Sequence, residues 1–83
     1  PPLFEGRFIV EALRPVGAEG SHLMMELSMG AVTSKAIWFR ALTPGELPSF
    51  SVGDTLHCAY KLKGNRWRGR ESLQLMVEHA SPV

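Results

Sequence analysis

Residues 55–63, Thr-Leu-His-Cys-Ala-Tyr-Lys-Leu-Lys, alternate without a break: Leu56, Cys58, Tyr60 and Leu62 against His57, Ala59, Lys61 and Lys63. Successive side chains of a β-strand point to opposite faces, so a period of two gives one apolar face and one wetter face; a helix would space its apolar residues three to four apart. Downstream, Gly64-Asn65 and Gly69 bracket an Arg66-Trp67-Arg68 tip, and residues 72–77 alternate again, with Leu73, Leu75 and Val77 against Ser72, Gln74 and Met76. Two alternating runs joined by a short glycine-bearing connection predict a hairpin, here with a basic tip.

Upstream of this hairpin, residues 42–54 carry Pro44, Gly45, Pro48 and Gly53. These breakers exclude a regular strand and leave room for a short helical turn near Gly45–Leu47, which makes the segment a long connection. The stretch before it, residues 32–41 (VTSKAIWFRA), predicts a third strand with Ala36, Trp38 and Arg40 on one face. A turn at Gly30 joins it to His22–Met29, where Leu23, Met25, Leu27 and Met29 oppose His22, Met24, Glu26 and Ser28. The first strand falls in Gly6–Leu13 (GRFIVEAL), and Arg14-Pro15, Gly17 and Gly20 break it. Five short strands, a central hairpin, a long third connection and a closing hairpin follow the order of the oligonucleotide-binding (OB) fold, an all-β Greek-key barrel; an SH3-like barrel is the alternative.

Eighty-three residues hold one domain, and 45% apolar against 20% charged residues is the balance of a folded unit rather than a disordered one. The lone Cys58 has no partner for an internal disulfide, although small secreted domains are usually bridged several times, so a cytoplasmic location is expected. No apolar run approaches the roughly 20 residues that span a bilayer, and the opening PPLFEGR lacks a signal-peptide pattern. The proline-bearing flanks, Pro-Pro at one end and Ser-Pro-Val at the other, read as those of a single module, residues 1–83, excised from a larger multidomain protein and monomeric in isolation.

Net charge is only +1, but it is polarised: Lys61, Lys63, Arg66, Arg68 and Arg70 form an acid-free +5 window, and the remainder carries four cations against eight acids, or −4. Cations along a groove neutralise phosphates and release condensed counterions, and an aromatic ring beside them can stack an unpaired base. The candidate nucleic-acid-binding residues are therefore Trp38, Arg40, Lys61, Lys63, Asn65, Arg66, Trp67, Arg68, Arg70 and Gln74, with Asn65 and Gln74 adding hydrogen bonds. A bland reading competes at each: a barrel-core role for Trp38, domain docking for Trp67, and a solvated hairpin for the charges.

Little points to catalysis. His22, His57 and His79 lie on separate predicted strands without ligand-spaced cysteines or carboxylates. Cys58 falls on an apolar face, where a thiol is a small buried hydrophobe. Phosphate-binding glycine loops, a Gly-x-Ser-x-Gly elbow and paired carboxylates are all missing, so neither a catalytic residue nor a cofactor is expected within these residues. Met24, Met25, Met29 and Met76 read as core and edge filling.

The segments FEGRF, HLMMEL, AIWF, AYKL and above all NRWRGRESLQLMVE resemble the C-terminal OB domain of bacterial RecJ single-stranded-DNA exonucleases over nearly the whole chain. The resemblance implies a parent enzyme of DNA repair and recombination that degrades single strands from the 5′ end, with Mn²⁺ or Mg²⁺ held by Asp and His motifs that this chain lacks. It implies a binding role here, with single-stranded DNA and the catalytic domains of the parent chain as partners and Asn65, Arg66, Arg68 and Arg70 as the matching basic-turn positions. One departure is the glycine-bearing stretch Gly17–Ser21, which puts Arg14 and His22 in doubt as contacts. A purely structural, interdomain barrel without DNA contact is the alternative function.

Overall fold

The computed structural model describes residues 2–83, apart from the side chain of Trp67. Five strands, β1 (Phe4–Val16), β2 (His22–Met29), β3 (Val32–Trp38), β4 (Thr55–Trp67) and β5 (Arg70–Pro82), close into a barrel in the order β1-β2-β3-β5-β4. This is the OB arrangement, and no helix occurs among the described residues. All neighbouring strands are antiparallel except β3 and β5, which run parallel.

Closure depends on β1, whose first half pairs with β4 (Phe4↔Tyr60 to Ile9↔Thr55) and whose second half pairs with β2 (Ile9↔Ser28 to Val16↔His22). A bulge between Val10 and Ala12 bends the strand where it changes partner. The bulged Glu11 accepts a 2.6 Å hydrogen bond from the hydroxyl of Ser28, a buried polar residue of the barrel wall. The first strand outruns its expected end at Leu13, and Pro15 stands within it, paired with Leu23. The turn comes later, through Gly17 and Gly20, both at positive φ.

Inward-facing residues alternate on every strand: Phe8 and Val10, Leu23, Met25 and Leu27, Ala36, Leu56 and Cys58, Leu75 and Val77 are all buried. The 39–54 connection closes one end of the barrel by inserting Leu42 and Phe50 into this core. It is held by hydrogen bonds from the Leu42 amide to the Ser21 carbonyl (3.0 Å) and from the Gly53 amide to the Val10 carbonyl (2.8 Å). Near Gly45 the expected helical turn is instead a tight turn at Thr43–Glu46. The Glu46 amide donates to the Thr43 carbonyl, Gly45 takes φ +82°, and the Glu46 carboxylate accepts from the Thr43 amide and hydroxyl.

Cys58 is enclosed, and burial pushes its thiol up from the ordinary 9.0 to about 11. An unfolded thiol ionises near 9 while the folded one resists until about 11, so its contribution to stability is complete below pH 9 and falls as pH rises between these values. Urea midpoints measured at about pH 8 and pH 10.5 should therefore differ more for the natural chain than for Cys58→Ala; equal differences would refute this role for the thiol.

The closing hairpin is longer than the sequence pattern suggests. Gly64 and Asn65, expected at the turn, continue β4 and pair with Leu73 and Ser72. The turn is the two-residue loop Arg68-Gly69, with φ of 50° and 77°. Two consecutive positive φ values match the right-handed twist of the flanking strands, and this match lets the strands run to the tip. β3 meets β5 only at Lys35↔Gln74, Ala36↔Leu75 and Ile37↔Met76, so Arg70–Leu73 and the β4 residues opposite project past the barrel as a two-stranded arm.

Candidate nucleic-acid interface

The strand registers align outward-facing residues in two rows across the barrel. One row reads Arg14, Met24, Ile37, Met76, Lys61, and the next Ala12, Glu26, Lys35, Gln74, Lys63. Strands lie about 4.8 Å apart, so five positions span roughly 19 Å. The first row has an apolar centre: Ile37 is buried, with half-buried Met24 and Met76 as its register partners on either side. Of the remaining methionines, Met25 is core, and Met29 is exposed where β2 ends.

The arm splits the basic cluster between two faces. Lys61, Lys63, Asn65 and Arg70 share the outward side with Ser72, Gln74 and Met76. Arg66 lies on the opposite side, in register with Glu71, and the two form an ion pair. Lys61 lies 3.5 Å from the Glu78 carboxylate. Both pairs are solvent-exposed, so they add little stability, but each offsets a cation that would otherwise face a phosphate. Lys35, Lys63 and Arg70 have no carboxylate within ion-pair distance among the described residues. Asn65 donates to the Gln74 side-chain oxygen at 3.3 Å, holding both amides at the foot of the arm. Arg68 occupies the turn. Expectations for Trp67 as a stacking or docking ring lie outside the described residues.

The face expected to hold Ala36, Trp38 and Arg40 needs correction at Arg40. Trp38 is paired with Leu23, points inward and packs half-buried against the core, with its ring edge-on to His79 at 6.5 Å. β3 ends there, so Arg40 does not share a strand face with Ala36 and Trp38; it lies in a left-handed turn with φ 55°. The exposed aromatic at this end is Phe39, whose ring meets that of His22 edge-to-face at 5.3 Å. Sequence reasoning passed over Phe39 and Lys35. The signal for Lys35 was alternation: once small Ala36 is assigned to the core, Lys35 and Ile37 take the outward parity and Trp38 the inward one, whereas Phe39 lies past the end of β3, in the turn with Arg40, where alternation does not place it.

A groove of about 630 Å³ opens where β3 and the arm diverge, lined by Val32, Thr33, Ser34, Lys35, Asn65, Ser72, Leu73 and Gln74. Hydroxyls and amides with one cation at its edge suit hydrogen bonding to a polar, anionic chain.

The family model of the RecJ OB domain matches residues 1–79. The single-stranded-DNA-specific exonuclease RecJ of Haemophilus influenzae is 37% identical over 84 aligned residues, and that of Dickeya dadantii is 37% identical over 82; each alignment covers 99% of this chain. The chain spans 14% of the length of either relative. A closed five-stranded barrel, the strand order of the OB fold and a family match over nearly every residue agree, and the chain belongs to the RecJ OB domain family.

Proposed function

We propose that this chain is a single-stranded-DNA-binding module of a RecJ-type 5′→3′ exonuclease acting in DNA repair and recombination in the cytoplasm. In this reading it holds the strand, while catalysis and its Mn²⁺ or Mg²⁺ belong to other domains of the parent protein. The observation that carries the proposal is the set of cations Lys35, Lys63 and Arg70, without an ion-pair partner among the described residues, on the outward side of β3 and the arm beside the amides of Asn65 and Gln74. Phosphates are held by these cations without sequence preference, and the amides bond to sugar, phosphate or base.

The test is anisotropy titration of the 83-residue chain with a labelled oligothymidylate and with a duplex. Three neutralised phosphates predict a log–log salt slope of about −2, hence roughly 20-fold weaker binding on going from about 50 to about 200 mM salt. Salt-independent binding, or equal affinity for the duplex, would overturn the proposal.

A second reading, docking onto other domains of the parent chain, is favoured by one feature: Val32 and Leu73 are apolar yet exposed on the groove, at 66% and 65%. In that case Leu73→Asp would weaken domain association in the longer protein, and the chain alone would show no oligonucleotide binding.

A further inference from the structure

We infer that Phe39, braced by His22, is a base-stacking subsite and the element by which this face prefers an unpaired strand. The inference rests on the DNA-binding reading above and assigns a division of labour within it: cations at the arm take phosphate, and an aromatic platform at the far end of β3 takes a base.

Three features fix the platform. The imidazole of His22 stands edge-to-face with Phe39 at 5.3 Å and 76°. The Nδ1 atom of His22 accepts a 2.8 Å hydrogen bond from the Arg40 amide, which sets the ring's orientation. Gly17, at φ +92°, leaves the space the imidazole needs, since a Cβ there would stand 2.9 Å from its Cδ2 atom. Phe39 nonetheless keeps 56% of its surface in water. An exposed phenyl ring forfeits the burial it would gain in a core, so a ring braced in the open against an oriented imidazole is suited to a partner that arrives from outside.

The local charge selects the part of the nucleotide that fits. His22 and Arg40 line a surface recess of about 650 Å³, together with Gly17, Ser21, Leu42 and Pro44, and Glu19 and Glu46 also stand on its wall. With two carboxylates against the single cation Arg40, the recess has no excess of positive charge for phosphate, in contrast to the arm, and Phe39, which touches its lining residue His22, offers an uncharged ring to the face of a base. A base in a duplex already has both faces stacked and reaches Phe39 only by leaving the helix, whereas an unpaired base pays little for it.

The experiment compares Phe39→Ala and Phe39→Trp with the natural chain in the same titrations, alongside crosslinking of a 5-iododeoxyuridine oligonucleotide mapped by mass spectrometry. Phe39→Ala should weaken single-strand binding about 10- to 100-fold, leave duplex affinity and the salt slope unchanged, and abolish a crosslink at residue 39. Phe39→Trp should retain binding. Circular dichroism melting of each variant confirms that the barrel is intact; if Phe39→Ala unfolds, the Trp variant and the crosslink position in the natural chain decide. Natural-strength, salt-sensitive binding by a folded Phe39→Ala, or a crosslink only elsewhere, overturns the inference and leaves the DNA-binding reading standing. If the natural chain itself fails to bind, both fall.

Discussion

Leu27→Ala is expected to cost about 3–5 kcal/mol of folding stability. Leu27 is completely enclosed, in register with Val10 on one side and Ser34 on the other, in the inward-facing β2 row of Leu23, Met25 and Leu27. Truncating a buried leucine removes its transfer free energy and leaves a cavity that a barrel closed on all sides by hydrogen-bonded strands cannot collapse to fill. Stability of roughly 0.05–0.15 kcal/mol per residue puts a domain of this size at about 4–12 kcal/mol in total, so one side chain carries a large share of it. Leu73→Ala, on the arm and 65% exposed, should cost under about 0.5 kcal/mol by the same measurement. Urea denaturation followed by tryptophan fluorescence provides both numbers. Similar losses at the two positions would mean that the barrel interior is not where Leu27 resides.

The contrast between these leucines shows where sequence pattern is sufficient and where it is not. Both occupy inward-parity positions in cleanly alternating runs, and alternation assigns each to a core. Parity tells which face a side chain takes, but it does not tell whether another layer covers that face. Leu27 has the barrel over it; Leu73 lies beyond the last β3–β5 pair, where the same parity faces the groove. The OB strand order was legible because its punctuation is chemical: Gly30, the Pro-Gly connection and the basic hairpin each break a period of two.

Strand ends were less legible. Gly64-Asn65 has turn chemistry, but the continuing ladder from Asn65↔Ser72 to Trp67↔Arg70 outweighs that local preference, and the turn falls on Arg68-Gly69. Moving the turn by a few residues redistributes the site. In an Arg-Trp-Arg tip all the cations crowd around one ring; in a ladder, Lys63 and Arg66 are three positions apart and point to opposite sides. The orientation of Trp38 shows the same kind of effect. An indole beside arginine has the composition of a stacking site, but pairing with fully buried Leu23 fixes it inward, and the neighbouring phenylalanine inherits the exposure.

That redistribution has a measurable consequence. The triple variant Lys35→Ala, Lys63→Ala, Arg70→Ala should bind single-stranded DNA on the order of 100-fold more weakly at low salt, about 1 kcal/mol for each phosphate left without its cation, and its log–log salt slope should become shallower by about 2. The double variant Arg66→Ala, Glu71→Ala removes one charge of each sign and leaves the net charge of the arm as it was, so its affinity should stay within about threefold of the natural chain. Counted by sequence alone, Arg66 belongs with the other basic residues and its loss should matter as much as that of Lys63; counted by face and partner, it should not. Anisotropy titrations of both variants across a salt series separate the two accounts. A double variant as impaired as the triple one would put the strand on the Arg66 side of the arm, over Gly64 and Leu73, and the outward face of β3 would lose its assignment.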